Sequence, residues 1–165
     1  SPLPQFFDRY IRLVEEIDLV EGLQKYSPEK VFSLTQLEKI GDKIYAPEKW
    51  TMKDILQHCI DNERIMCYRA LRFSRNDTTV LAGYDEDLLA RYADTSRRNL
   101  LDMMEEFVDV RKSTIHLFKS FTDEMLVRKG NANQIEICAL HLGFQIIGHA
   151  FHHQRVIEER YLPLV

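Results

Sequence analysis

The fold class is decided by residues 51–75, which read TMKDILQHCIDNERIMCYRALRFSR. Apolar residues recur in this stretch at intervals of three and four, which is the period of an amphipathic α-helix rather than of a strand. Thr51 is a suitable N-cap, and Asp54 three residues later completes a shortened capping box. These signals predict one long helix, entered through a rigid loop in which Trp50 packs back onto the first turns.

Helical periodicity continues towards the C-terminus. A second long helix is predicted over about residues 85–121, with a bend near residues 94–96. Another is predicted over about residues 134–161, and it ends before Pro163. Between them, residues 130–133 read GNAN and are predicted to be a loop. No segment of the chain shows the sustained alternation that indicates a strand.

The N-terminal part gives a weaker signal. Residues 19–40 read as one more helix, in which Pro28 either introduces a kink or occupies the first turn after Ser27. This makes four main helices, with no internal repeat and no linker rich in Gly, Ser or Pro. The sequence therefore predicts an all-α fold, a four-helix bundle, in a single domain over residues 1–165.

Length and composition describe an ordinary globular chain. The 165 residues carry 22 Lys and Arg against 26 Asp and Glu, which gives a formal charge of −4 and a pI of about 5.9. That balance argues against nucleic acid or an anionic membrane as a partner, and no apolar run approaches the roughly 18 residues of a membrane span. The three cysteines are widely spaced and odd in number, which predicts a cytoplasmic protein, with a periplasmic one as the alternative.

Histidine supplies the unusual chemistry. Of six histidines, His149 and His153 lie four residues apart on the last predicted helix, so their imidazoles stack on one face and can meet one metal ion. Both lie at the edge of the apolar stripe of that helix and are predicted to border the bundle interior. Such a pair also occurs by chance in helical proteins, so it is weak evidence without a third ligand from another helix.

His58 is the candidate for the third ligand. It lies about 120° from the centre of the apolar stripe of its helix, on a line with Asn62, Ile65 and Arg69. This position suits either a surface residue or a cleft with mixed side chains, and the periodicity leaves both open. The other three histidines are predicted to be structural or solvent-facing, because a lone histidine needs no metal to explain it: His116, His141 and His152.

Charged residues on two neighbouring helices allow two interpretations. One helix carries an arginine strip, formed by Arg64, Arg69, Arg72 and Arg75. The next carries an acidic run, formed by Asp102, Glu105, Glu106 and Asp109. The strip could hold an anionic substrate near a metal, but charge runs more often form salt bridges on solvated faces, and that interpretation is favoured. The chain has no glycine-rich phosphate loop and no Gly-x-Ser-x-Gly elbow.

Two histidine-bearing segments carry a further signal. The first reads YAPEKWTMKDILQHCIDNER over residues 45–64, followed by YRALRFSR over residues 68–75. The second reads GHAFHH over residues 148–153, followed by ERYL over residues 159–162. Together they resemble the DinB superfamily, in its DinB-like and YfiT-like metal-binding branch. The resemblance spans about residues 19–162, which is nearly the whole chain.

The resemblance implies a four-helix bundle of the DinB/YfiT-like type with a divalent metal held by His58, His149 and His153. Two features depart from the superfamily pattern. Asn76 stands where a glycine often follows the arginine, and the first helix, with Pro28, is poorly matched. Neither departure affects the three implied ligands.

Three imidazole ligands would leave at least one coordination position open, as in catalytic metal sites. Zn(II) and Ni(II) suit such ligands, with Fe(II) and Mn(II) as further alternatives, and such an ion could activate a water or a thiolate. Superfamily relatives include transferases that use low-molecular-weight thiols and a thiol-dependent isomerase, so the resemblance implies thiol transfer to, or hydrolysis of, a small-molecule substrate, and it allows a homodimer. The alternative is a non-catalytic, stress-related binding or interaction protein whose metal site is structural or vestigial.

Residues near the ligands are either acceptors that orient the imidazoles or solvated residues: Asp61, Asn62, Glu63 and Glu158.

Overall fold

The computed structural model describes residues 3–165. The helices are α1 (Asp8–Ile11), α2 (Leu19–Lys25), α3 (Pro28–Val31), α4 (Leu34–Ile40), α5 (Met52–Ser74), α6 (Glu86–Tyr92), α7 (Leu100–Lys119), α8 (Asp123–Val127) and α9 (Ala139–Val156). Two short strands, β1 (Lys129–Ala132) and β2 (Ile135–Cys138), pair antiparallel between α8 and α9. The predicted four-helix bundle is confirmed: α5, α7 and α9 occupy three positions, and α2 to α4 together fill the fourth by packing against α7 and α9. Within residues 3–165, no helix has the length and apolarity needed to cross a membrane.

α5 begins and ends where its sequence signals place it. The Thr51 hydroxyl accepts a hydrogen bond from the Asp54 backbone N–H at 3.2 Å, and the Asp54 carboxylate accepts one from the Thr51 N–H at 3.1 Å, so the capping box is complete. Just beyond the C-cap residue Arg75, Asn76 adopts a left-handed φ of 60°. Asparagine tolerates this conformation better than most residues, which explains how it replaces the glycine common at this point in the superfamily.

The prediction of a single helix over residues 85–121 is wrong. Shortly after α6 ends, Asp94 takes a left-handed φ of 49°, and a 3₁₀ turn follows at Thr95–Arg97. α7 then begins with its own N-cap, Asn99, whose side chain accepts a backbone N–H of the first turn at 2.8 Å. The predicted bend is a complete break, because a left-handed residue cannot continue a right-handed helix and a new cap starts the next one.

Two further predictions are also wrong: that the chain contains no strands, and that residues 130–133 form a loop. β1 and β2 are joined by a two-residue turn at Asn133 and Gln134, both with positive φ, as a tight β-hairpin turn of type I′ requires. Ile137 anchors the hairpin in the core. Because this segment is a strand, α9 begins five residues later than predicted, whereas its continuation through a π-helical turn to Tyr161 agrees with the predicted end.

The helix predicted over residues 19–40 is three short helices. Pro28 is the first residue of α3, so it opens a helix and does not kink one. The side chains of Asp18 and Ser33 cap α2 and α4, each by accepting a backbone N–H three residues later at 3.2 Å. Because each of these caps starts a new helix, the segment that was predicted as one helix is divided into separate elements.

A layer of buried polar side chains crosses the middle of the bundle. We name it the mid-bundle polar layer, and its members come from α5, α7 and α9: His58, Asn62, Glu63, Arg111, Thr114, Gln145 and His149. It divides the apolar core into two clusters. On α5, core residues up to Ile60 belong to one cluster and those from Met66 onward belong to the other.

Glu63 and Arg111 form an ion pair within this layer, and each is at most 2% exposed. Arg111 Nε and Nη2 donate to the carboxylate at 3.0 and 2.9 Å, and its Nη1 donates to the carbonyls of Leu23 and Tyr26 at 3.2 and 2.7 Å. The Thr114 hydroxyl donates to the same carboxylate at 2.8 Å. The pair therefore ties α5 and α7 to the C-terminal end of α2.

We expect Glu63→Gln to lower the free energy of unfolding by about 3–5 kcal/mol, because it leaves the Arg111 guanidinium buried without a counter-charge. Equilibrium urea denaturation measures the loss. Arg64→Met is the matched control, since Arg64 pairs with Glu106 near the surface and such pairs contribute about 0–1 kcal/mol. A loss for Glu63→Gln no larger than that of the control would contradict a structural role for the buried pair.

Candidate metal centre

The three predicted ligands come together between α5 and α9. His58 lies on the second turn of α5, and His149 and His153 lie on successive turns of α9. One nitrogen from each ring lies within 4.8 Å of the other two, and the ring centroids are 4.6–4.8 Å apart. His58 is 6% exposed. Of the two positions that the periodicity left open for it, the cleft is the one observed.

Side-chain pairs set the antiparallel register of α5 and α9. The Nε2 atoms of His58 and His149 lie 2.9 Å apart in a hydrogen bond between the two imidazoles. One turn away on each helix, the amides of Asn62 and Gln145 exchange two hydrogen bonds, each of 3.1 Å. These contacts direct both Nε2 atoms to the same point between the helices.

The donor set suits a divalent transition metal. Imidazole nitrogens on a tetrahedral ion lie about 2.0–2.1 Å from the metal and therefore roughly 3.3 Å from one another. The 2.9 Å between His58 and His149 is close to that spacing, and a nitrogen of the third ring, His153, lies within 4.8 Å of both. Imidazole is a ligand that zinc and nickel both accept.

Burial keeps the three histidines neutral. It lowers the pKa of His58 to about 4, and the nearby His152 adds to the effect. It also lowers the pKa of His149 and of His153 well below the usual range, with a further contribution from the neighbouring imidazoles. Neutral imidazole is the form that binds metal, so these side chains can act as ligands at neutral pH without first losing a proton.

Trp50 covers one side of the cluster. Its ring centroid lies 4.8 Å from that of His58, and it stacks on His153 at 6.2 Å. The Trp50 carbonyl accepts a hydrogen bond from the Tyr161 hydroxyl, which holds the entry loop against the end of the last helix. The predicted packing of this residue onto the first turns of α5 is therefore extended by a contact with α9.

Tyr10 covers another side. Its ring packs edge-on against His149, with 5.2 Å between centroids. The preceding residue of α9, Gly148, makes this approach feasible, because a Cβ at that position would lie 1.8 Å from the Tyr10 carbonyl oxygen. A glycine next to the ligand thus brings α1 against the site.

Glu86 is a site residue that the sequence analysis missed. Its Oε2 lies 3.6 Å from His58 Nε2, and its side chain is 57% exposed. It occupies the first turn of α6, after the N-cap Asp85. The sequence offers no local signal for this contact, because it depends on how α6 folds over His58.

The remaining histidines lie outside the three-nitrogen set. His116 is exposed on α7, and His141 is half-buried near the start of α9. His152 packs edge-on against Tyr10 and His153. These positions agree with the prediction of structural or solvent-facing histidines.

The four acceptors considered near the ligands have other partners. The pairs are Asp61 with Gln57, Asn62 with Gln145, Glu63 with Arg111, and Glu158 with Gln154. Asn62 and Glu63 are buried, so the interpretation as solvated residues is wrong for these two. Their role is to hold helices together rather than to orient the imidazoles.

The arginine strip meets the predicted acidic run at one point. Arg64 pairs with Glu106 at 2.8 Å. Two further members bond to residues near the end of α5: Arg72 to Asp77, and Arg75 to Ser74. Arg69 is 4% exposed and points away from the acidic run, with a hydrogen bond to the carbonyl of Ala82. The favoured salt-bridge interpretation therefore holds for Arg64 and not for Arg69.

A cavity of about 360 Å³ lies beside the cluster. Its lining includes His149, the paired amides of Asn62 and Gln145, and two groups of opposite charge, Arg69 and Glu86. A volume of this size is in the range of small-molecule sites. The cavity therefore places one of the three histidines, His149, beside polar groups that can orient a ligand.

Comparisons with known proteins agree with this fold. The family model of the DinB superfamily matches residues 8–157, so the chain belongs to the DinB superfamily. The structure is similar to that of YfiT from Bacillus subtilis, described as a probable metal-dependent hydrolase with an unusual four-helix bundle topology. The TM-score is 0.69 at 18% sequence identity, and the match covers 99% of this chain and 90% of that one. No curated protein matches the chain significantly in sequence.

Trp50, the single tryptophan of the chain, should report metal binding at the cluster. We expect one equivalent of Ni(II) or Co(II), added to chelator-treated protein, to quench its fluorescence in a saturable manner, because an open-shell ion next to the indole accepts its excitation. His153→Ala should abolish the saturable quenching, whereas His116→Ala should retain it. The same titration curve for His153→Ala and wild type would contradict the donor set.

Proposed function

We propose that this member of the DinB superfamily is a metal-dependent enzyme that activates a low-molecular-weight thiol or a water for attack on a small molecule. His58, His149 and His153 would hold one divalent metal, with Zn(II) or Ni(II) the best suited to imidazole. One observation carries the proposal: three neutral imidazoles from two helices converge, and one of them, His149, lines a cavity of small-molecule size.

The chemistry needs a nucleophile from solution. A divalent metal with three protein ligands has a position left for a reactant, and it lowers the pKa of a bound water or thiol towards neutral. Two of the three thiols are poor nucleophiles, because burial raises the pKa of Cys67 to about 12 and raises that of Cys59 as well. None of the three cysteines lines the cavity, so the attacking group that we propose is a water or a small thiol that enters through the cavity.

Glu86 is the group positioned to take a proton from that nucleophile. Its carboxylate lines the cavity and lies 3.6 Å from His58 Nε2. The three imidazoles cannot accept the proton while their nitrogens serve as ligands, so the role passes to the nearby carboxylate. Since the Glu86 side chain is largely exposed, it can pass the proton on to solvent.

Two relationships support this reaction class. YfiT is described as a probable metal-dependent hydrolase, which favours water as the nucleophile. The resemblance to thiol-using transferases in the superfamily favours a thiol. Both reactions require the same arrangement in this chain, namely the three histidines, Glu86 and the cavity beside them.

The cytoplasm is the compartment that we propose for this activity. The three cysteines are free within residues 3–165, and reducing compartments keep thiols in this state. The formal charge of −4 favours a small-molecule partner over nucleic acid. A homodimer remains a prediction of the superfamily resemblance.

Turnover with and without metal tests the proposal. Protein purified without a nickel column is treated with chelator and reloaded with Zn(II) or Ni(II). It is then assayed for conjugation of chlorodinitrobenzene with glutathione, bacillithiol or cysteine, and for hydrolysis of nitrophenyl esters. We expect metal-dependent turnover that His153→Ala abolishes and His116→Ala retains. Glu86→Gln should keep one metal per chain and lower kcat by about 10²–10⁴-fold, the usual contribution of a proton-transfer group.

Two results would contradict this account. Failure of every substrate pair to turn over, in protein that binds one metal per chain, would favour the non-catalytic binding role. Loss of metal from Glu86→Gln to the same extent as from His153→Ala would make Glu86 a ligand rather than a proton acceptor.

A further inference from the structure

Arg69 is a buried cation in the wall of the cavity that borders the candidate metal centre. Its Nη2 donates to the carbonyl of Ala82 at 3.3 Å, and its guanidinium lies 5.7 Å from the centre of the Tyr84 ring. Within residues 3–165, no carboxylate oxygen lies within 4.0 Å of its nitrogens. One neutral acceptor and one aromatic ring are thus its main polar contacts.

Arg69 differs from the other buried arginine, Arg111, because it lacks a carboxylate partner. Arg111 is equally buried, but its charge is matched by Glu63 and its other donors reach two carbonyls. Arg69 has five N–H donors and no such partner, and burial lowers its pKa. An unpaired buried charge costs several kcal/mol. Fold stability alone therefore does not account for this residue, whereas an anion that enters the cavity would.

The cavity connects Arg69 to the histidines. His58 and Arg69 share one face of α5, three turns and roughly 16 Å apart along the helix axis, and both His149 and Arg69 line the cavity. Between them lie Asn62 and Gln145, whose amides satisfy each other and leave this part of the lining uncharged. A ligand that extends from the histidines to Arg69 therefore crosses a polar, neutral surface.

The two carboxylates of the cavity lining have partners other than Arg69. Glu86 lies at the histidine end, next to His58. The Asp85 carboxylate accepts two backbone N–H groups as the cap of α6. The other cation of the lining is Arg9, which is exposed on α1 and lies near the Tyr10 ring.

We propose that Arg69 binds a carboxylate of the reacting molecule, which makes the substrate or its thiol partner a small carboxylic acid. This inference rests on the proposed function, because it names the ligand of the same cavity. A planar guanidinium matches a carboxylate with two parallel hydrogen bonds, in a geometry that lysine cannot reproduce. The ligand places its reacting end at the histidines and its carboxylate at Arg69.

Mercapto acids on the Co(II)-loaded protein test the inference. A series of ω-mercaptocarboxylic acids of increasing chain length is compared with ω-mercaptoalcohols of the same lengths, and the sulfur-to-cobalt absorption band measures binding. At the best length we expect the acid to bind at least about 10- to 100-fold more tightly than the alcohol, because even one of the two charge-assisted hydrogen bonds contributes about that much. Arg69→Met should remove this advantage. Arg75→Met should retain it, because Arg75 is an exposed arginine at the C-cap of the same helix and does not line the cavity.

An advantage that survives in Arg69→Met, or that is absent from wild type, overturns the inference. Arg69→Lys provides a second variant should the methionine variant fail to fold. Because it keeps the positive charge, we expect the fold and cobalt binding to remain. Because lysine cannot form the two parallel hydrogen bonds, we expect most of the advantage of the acid to be lost. An undiminished advantage in Arg69→Lys also overturns the two-bond recognition. Absence of the absorption band with every thiol would instead count against the proposed function, independently of Arg69.

Calorimetry with hexanoate and saturating mercaptoethanol separates the two sources of the carboxylate. Binding of hexanoate that requires Arg69 assigns the carboxylate to the molecule under attack. Absence of hexanoate binding, together with the advantage of the mercapto acids, assigns it to the thiol. Hexanoate binding of equal strength in wild type and Arg69→Met would contradict a role for Arg69 in either.

Discussion

The bundle depends on the pairing of buried polar groups in the mid-bundle polar layer. A buried polar group destabilises the fold unless a partner satisfies it, and here each pair joins two different helices. Glu63 with Arg111 links α5 to α7, and Asn62 with Gln145 links α5 to α9. Apolar contacts above and below tolerate sliding, whereas these pairs do not. The layer therefore sets the register in which the two apolar clusters pack.

The candidate metal centre is the end of this layer where the pairing is least complete. At the other end, the guanidinium of Arg111 meets a carboxylate and two carbonyls. At the candidate metal centre, His58 and His149 share a single hydrogen bond, and His153 faces them from the next turn of α9. The same constraint thus produces a saturated structural contact and, one helix turn away, a set of neutral nitrogens with capacity for a further ligand.

Local signals predicted the parts of the fold that are local in origin. α5 and the pair His149 and His153 follow from a helical period and a cap, so the sequence was sufficient. The burial of His58 was left open, because hydrophobic periodicity cannot detect a polar face that packs against another polar face. The strand at residues 135–138 was missed because its alternation covers so few residues, and Glu86 because its contact with His58 depends on how α6 folds back.

X-ray absorption spectroscopy of the zinc-loaded protein tests the central claim most directly. The account predicts one zinc per chain, with scattering from three imidazoles at about 2.0–2.1 Å and one further light atom. Addition of a small thiol should replace that light atom with a sulfur. Fewer than three imidazoles, or a sulfur ligand from the protein before any thiol is added, would contradict a three-histidine centre built on α5 and α9.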